Sequence, residues 1–353
     1  MTILWINLTA VYIFSFFARY FSKPLSFNNT YQKLNPFLVI LTISCLVIVS
    51  GLRNNIGDTP FYVHSYILFN YSLYELDYTG DFGFSILQLL LKNISNDPQI
   101  LLFVTALITN SLIVIVLYRY SRIFELSIYV YITSGMYTVS MNGIRQYFAA
   151  AIVFLGTKFI LNGEIKKYLL TIIIASTFHK SAIVLLPIYF IVRREAWTKM
   201  TVSILLTSIL IVIGYNEFST ILFTALKTTQ YAHYSEFQEG GASYLRVAVN
   251  IVPLIIAYIG KEKLKSLWPK SGYIVNLSII NFLFLVISTQ NWIFARFSIY
   301  FGLYNLILIS WLIVLFKNRN KRIIYYCILI FYIIYFYYEH VLALDVFYES
   351  NYL

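Results

Sequence analysis

Long apolar runs follow one another along the chain, at about 2–18, 36–52, 100–118, 124–141, 144–162, 168–192, 201–224, 244–260, 273–290, 293–316 and 323–338. Most of them reach or approach the roughly 17–25 residues with which a helix crosses a bilayer. The pattern predicts an all-α fold, a polytopic transmembrane helical bundle of about 10–12 spans, because a helix satisfies its own backbone groups in lipid. Connections are mostly short. Only 53–99 is both long and polar, so residues 1–353 read as a single integral membrane domain carrying one sizeable loop. The first run lacks the basic leader and small-residue cleavage site of a secretory signal and is read as a retained span.

Basic residues orient these runs, since Lys and Arg near span ends stay on the cytoplasmic side. Arg19, Lys23 and Lys33, then Arg119 with Arg122, then Lys166 with Lys167 mark cytoplasmic connections. The run 168–192 decides the rest. As one straight span it sends Arg193, Arg194 and Lys199 outside and divides the basic residues about evenly. If the chain turns instead at Phe178-His179-Lys180-Ser181, 19 of the 26 basic residues fall inside and 7 outside. A broken or re-entrant helix pair near residue 179 is therefore expected, with His179 at its outer tip. Such backbone has to be buried in protein or line a wet cavity. The 53–99 loop, the 227–243 loop and the tail from Glu339 then lie on the extracytoplasmic side.

Composition agrees: 59% of residues are hydrophobic and 12% charged, and the mean hydropathy is +0.74, far from soluble domains. The net charge of +11 sits almost wholly in short cytoplasmic loops, so it reports topology and no nucleic-acid partner is expected. Cys45 and Cys327 fall inside apolar runs and are expected in the core without a disulfide. His64, His179, His233 and His340 are scattered, with no second histidine or carboxylate at ligand spacing, so no metal is expected. Walker, Rossmann and nucleophile-elbow motifs are missing from the sequence, which argues against soluble nucleotides, and no cofactor is expected.

Polar residues with chemistry gather on the outer side. The long loop opens Arg53-Asn54-Asn55-Ile56-Gly57-Asp58-Thr59-Pro60-Phe61-Tyr62, where Arg53 and Asp58 either pair and cap helix ends or face a ligand. Asp81 precedes Phe82-Gly83-Phe84 and the apolar Ile86, Leu87, Leu89, Leu90 and Leu91. It reads as the N-cap of an amphipathic helix lying on the outer surface, with capping alone a sufficient reason for it. Asn142, Arg145 and Gln146 are tightly grouped at the outer start of a span, more than snorkelling of Arg145 needs. Arg296 lies about a turn into its own span, four residues before Tyr300. His179, beside Lys180, occupies the expected turn. The spans contain no buried Asp or Glu suited to carrying coupling ions. Guanidinium groups stay charged and grip phosphates bidentately, so these arginines suit a diphosphate, and a lipid-linked diphosphate fits best in a greasy bundle. Among 32 tyrosines and 29 phenylalanines, those near the vestibule can stack on sugar rings.

In these blocks the chain resembles the EpsG-type (Wzy-like) exopolysaccharide and O-antigen polymerase family. The resemblance is carried by Gly51-Leu52-Arg53 with Gly57-Asp58-Thr59 and Tyr62, and by Asp81-x-Gly83-Phe84. Three further blocks follow in order: Asn142-x-x-Arg145-Gln146 before Ala149-Ala150, Ala175-x-x-Phe178-His179-x-Ser181-Ala182 before Leu186-Pro187, and Arg296-Phe297-x-x-Tyr300-Phe301. Asp81 stands where the family often carries glutamate. The resemblance implies a GT-C-like membrane glycosyltransferase in the bacterial inner (plasma) membrane. Its expected activity is metal-independent transfer, on the extracytoplasmic side, of a growing glycan from undecaprenyl diphosphate to the next lipid-linked repeat unit. Implied partners are that lipid-linked oligosaccharide, the bilayer, and a chain-length regulator and flippase of the same pathway. His179 or Asp58 would deprotonate the acceptor and Arg145 and Arg296 would stabilise the leaving diphosphate. Arg53, Tyr62, Asp81, Asn142, Gln146, Lys180 and Tyr300 are the expected substrate-binding residues. A flippase for lipid-linked sugars and a membrane acyltransferase acting on glycans are the alternatives.

Overall fold

The computed structural model describes residues 1–24, 32–70, 78, 80–226 and 240–353. His233 and most of the expected 227–243 loop lie outside the described residues, as do 71–77 and 79 of the 53–99 connection.

Eighteen α-helices follow in order among the described residues: α1 (Thr2–Tyr20), α2 (Pro36–Gly51), α3 (Thr59–Leu68), α4 (Phe82–Lys92), α5 (Gln99–Tyr120), α6 (Phe124–Thr133), α7 (Met136–Asn142), α8 (Ile144–Leu155), α9 (Thr157–Asn162), α10 (Ile165–Phe178), α11 (Ile188–Val192), α12 (Lys199–Ile213), α13 (Tyr215–Leu226), α14 (Tyr244–Ile259), α15 (Lys261–Leu267), α16 (Ser271–Ser288), α17 (Ala295–Leu312) and α18 (Asn318–Phe336). A 3₁₀ segment, Lys180–Leu185, precedes α11, and a π-turn, Tyr337–Ala343, extends α18. Local chemistry sets some of these ends. Asn35 caps α2 by accepting from the amides of Phe37 and Leu38, with Pro36 preset for the first turn.

The chain is a polytopic helical membrane protein. Among the described residues six helices are long and apolar enough to cross a bilayer, or up to eight if each bent pair is one span. Several expected runs are interrupted, which is why fewer whole spans appear than apolar runs. The run 124–141 splits at Ser134–Gly135 into α6 and α7. The run 201–224 bends by 94° between α12 and α13, at Gly214, and α14 bends by 78° into α15.

Two compact bodies form, one from Met1–Tyr189 with Ile309–Leu353 and one from Phe190–Leu308. In the first, α2 packs on α1 and α5, α5 on α8, α8 on α10, and α6 on α1 and α18. The expectation that the spans hold no buried acid is overturned here. Glu125 in α6 is 0% exposed, and its two carboxylate oxygens accept from Nε of Arg19 at 2.8 and 2.7 Å. Glu339 is buried as well. Glu125 stands at the start of the run 124–141, and its burial is tolerable because Arg19, 106 positions away, pairs with it. Cys327, expected in the core, lies exposed on α18, and Cys45 is half-buried; both are free thiols.

In the second body α16 packs against α12 and α14. Asn250 of α14 accepts from Asn281 of α16 at 3.1 Å and from Asn305 of α17 at 2.7 Å. Side-chain bonds of this kind tie helices together in lipid, each by about 0.6 kcal/mol.

Candidate active site

The first body gathers most of the residues singled out in the sequence, and the break after α10 organises them. Helix α10 ends at Phe178, and His179 adopts an extended backbone, φ −153° and ψ 113°. Tyr168, ten residues before Phe178 and so about 15 Å down the helix, donates its hydroxyl to Leu185 O at 3.0 Å and lies 5.4 Å, ring to ring, from Tyr189. The chain therefore turns at His179 and returns alongside α10. Leu185 and Tyr189 follow the turn directly, so His179 stands at the tip of a helical hairpin.

Helix α4 is set against that tip. A Cβ on Gly83 would fall 2.3 Å from Thr177 Oγ1, so only glycine lets α4 approach α10 this closely. Beneath it, Tyr62, Tyr66, Phe84, Leu91, Leu101, Leu102 and Ile144 form one buried apolar cluster, with Phe178 packed on its edge. Phe178 also lies 4.6 Å from the Phe148 ring. The residue preceding His179 is thus anchored on both sides.

Asp81 occupies the N-cap position of α4, yet its carboxylate makes no capping hydrogen bond. That corrects the sequence reading: tertiary partners take the carboxylate instead. Oδ2 lies 3.1 Å from Nδ1 of His179 and 3.1 Å from Nη1 of Arg145, and Oδ1 accepts from the Lys180 amide at 2.9 Å. The Asp81 side chain is 10% exposed, that of His179 16% and that of Arg145 39%. Burial pushes the Asp81 carboxyl up. The hydrogen bond and charge of His179, the Lys180 amide and Arg145 together outweigh burial and hold it below its ordinary value. An aspartate at Nδ1 orients the imidazole and leaves Nε2 as its second ring nitrogen for proton transfer, the logic of a His–Asp pair in hydrolases.

Arg53 has a different setting. It is 1% exposed; Nε donates to Thr59 Oγ1 at 2.9 Å, Nη2 to Met141 O at 2.6 Å, and Nη1 to Ser50 O. Ser50 and Met141 close α2 and α7, so their carbonyls belong to the negative ends of two helix dipoles. Burial lowers the pKa of Arg53 to about 10, which still leaves it a cation at neutral pH. Among the described residues no ion pair joins Arg53 to Asp58.

Asn142 uses Oδ1 to accept from the Asp58 amide at 2.9 Å. Gly57 takes φ +55°, and a Cβ there would meet Asn142 Oδ1 at 2.3 Å. Asp58 begins α3 without capping it through its side chain and is exposed. Tyr62 is buried in the apolar cluster, Gln146 is buried on α8, and the Lys180 side chain is exposed. Arg296 and Tyr300 belong to the second body, at the start of α17. The Arg296 guanidinium lies 4.9 Å from the Trp292 ring, and Tyr300 is buried.

One element carried no sequence signal. The tail after the π-turn is laced onto the Arg53 turn: Tyr348 hydroxyl to Val49 O at 2.8 Å, Asn55 Nδ2 to Phe347 O at 3.0 Å, Asn54 amide to Glu349 O at 2.9 Å, Glu349 amide to Asn55 Oδ1 at 2.8 Å and Ser350 hydroxyl to Leu52 O at 2.5 Å. All five use at least one backbone group, which no residue pattern betrays. Among the described residues no group of three or more His, Cys, Asp or Glu gathers.

A family model described as the EpsG family matches residues 36–352. No curated protein and no solved structure matches the chain.

Proposed function

The chain belongs to the EpsG family, and we propose on that premise that it polymerises lipid-linked oligosaccharide repeat units, transferring a growing glycan from undecaprenyl diphosphate to the next lipid-linked unit. The observation that carries the reading is the Asp81 carboxylate held between His179 and Arg145. It joins an oriented base to a half-exposed guanidinium. In the proposed step the acceptor hydroxyl loses its proton to Nε2 of His179 while its oxygen attacks the anomeric carbon of the donor glycan. The bond from that carbon to the diphosphate oxygen breaks, and the diphosphate leaves with the electron pair. Arg145 meets the charge that develops there, where fixed donors have most effect.

His179 is favoured over Asp58 as the base, because Asp81 fixes its ring whereas the Asp58 side chain is exposed and uncapped. General-base help is worth about 10²–10⁴-fold. Arg53 ties the loop from inside, Asn142 fixes Asp58, the buried Tyr62 and Gln146 support the site by packing, and the exposed Lys180 serves the sugar part of the substrate; Tyr300, in the second body, is assigned to substrate binding by its family motif alone. Arg296, in the second body, is assigned to phosphate binding by its family motif alone. The reaction faces the extracytoplasmic side of the cell membrane, by the charge distribution, on a GT-C-like scaffold. A chain-length regulator and a flippase would act beside it.

Of the two buried acids among the described residues, the kind an ion-coupled transporter would need, Glu125 is paired with Arg19 and Glu339 lies in the π-turn that extends α18. The test is glycan length in a strain lacking the gene, complemented with wild type, His179→Ala or Arg145→Ala at matched membrane levels. Single repeat units on the carrier in the variants, with long chains restored by wild type, support the reading. Long chains in the deletion strain itself sink it.

A further inference from the structure

The second body carries a site on its basic end that the polymerase reading does not use. A shallow notch there is lined by Ile191, Arg194, Thr198, Thr201, Ile204 and Ile279, among others. Its lining is split by chemistry. Arg194 is exposed at the lip, while the isoleucines form an apolar wall. Thr198 and Thr201 come from the first turn of α12, whose free amides favour an anion. Thr201 is 4% exposed, and among the described residues its hydroxyl has no hydrogen-bond partner.

Charge around the notch points the same way. Lys199, Lys261, Lys263 and Lys270 are exposed in this body. The Glu195 carboxylate, which also lines the notch, is held by Lys265 at 2.6 Å, leaving the positive charge in excess. Aromatic rings of the kind that settle at headgroup depth lie in the same segments. Trp197 packs 5.1 Å from Tyr258, and Lys261 lies 5.2 Å from that ring. Helix α15, with three of these lysines, turns 78° from α14 as a surface helix would. From the notch, the outer face of α12 runs on through exposed Val202, Leu206, Ile209 and Ile213.

We propose that this notch binds the phosphate end of an anionic diacyl phospholipid, with Arg194, Thr201 and the α12 amides on the phosphate and the acyl chains laid along α12. The positive-inside rule explains the sign of these loops but not an arginine and an unpartnered, buried threonine converging on one notch. Basic pockets of this kind beside membrane helices recognise lipid headgroups.

The experiment is native mass spectrometry of the full chain in mixed micelles, comparing phosphatidylglycerol with phosphatidylcholine. Wild type should retain phosphatidylglycerol at least fivefold over phosphatidylcholine, and Arg194→Gln with Thr201→Val should lose that preference while melting normally. Arg319→Gln with Lys321→Gln, on α18 of the first body, should keep it. Equal retention of the two lipids, or an unchanged preference in the Arg194 variant, overturns the proposal. Displacement of the lipid by millimolar glycerol 3-phosphate overturns the lipid assignment in favour of a free-phosphate site.

Discussion

Across 98 positions of sequence, Asp81 meets His179, carboxylate to Nδ1, at 3.1 Å. The pair fixes the orientation of the imidazole while Arg145 shares the same carboxylate oxygen. Asp81→Asn keeps the shape and removes the charge, so turnover should fall about 10²–10⁴-fold, the range of a general-base contribution. Asp81→Glu, which keeps the negative charge, should retain far more. The check is turnover of purified variants on a lipid-linked repeat unit; wild-type turnover in Asp81→Asn would remove the dyad from the account.

The depressed pKa of Asp81 gives a signed pH dependence. A carboxylate whose folded pKa lies below its unfolded value stabilises the fold above the unfolded value, and loses that contribution as pH falls through the folded one. Wild type should melt above Asp81→Asn near neutral pH, and the gap should close on acidification below the ordinary carboxylate pKa of 3.8. Melting of both proteins in detergent across that range checks it.

Arg53 should behave differently from His179. Replacing Arg53 by Met leaves the Ser50 and Met141 carbonyls without their donor, at about 1–3 kcal/mol for each orphaned group. Arg53→Met should therefore melt earlier and reach the membrane in lower amount. His179→Ala should lose activity with a smaller loss of stability, because the Asp81 carboxylate keeps Arg145 and the Lys180 amide. Immunoblots and melting curves separate the two.

The tail tests whether the Arg53 turn is held from outside. Removing residues 347–353 deletes all five hydrogen bonds to the Val49–Asn55 stretch. The truncated chain should be cut by protease within 53–58 faster than wild type. Tyr348→Phe, which loses one bond worth about 0.5–1.5 kcal/mol, should show a smaller effect in the same direction.

How much of this was legible depends on distance along the chain. Helices follow from apolar runs, and the turn at His179 follows from where Arg193 and Arg194 must end, so both are local or nearly so. The partners of Asp81 are not. An aspartate just before an apolar run carries the local signature of an N-cap, and only packing of α4 on α10 through Gly83 diverts its side chain to His179. Glu125 hid inside an apolar run for the same reason, since Arg19 is distant in sequence. The 94° bend at Gly214 was not legible, because an isolated glycine is tolerated inside a continuous helix.

The most direct measurement is product length from purified protein in liposomes supplied with only a lipid-linked repeat unit, wild type beside His179→Ala. The account predicts a ladder of lengthening glycans with wild type and release of undecaprenyl diphosphate at each step, with neither from His179→Ala. A wild-type protein that leaves the repeat unit unchanged under conditions where it is folded, or a ladder of equal yield from His179→Ala, would contradict it.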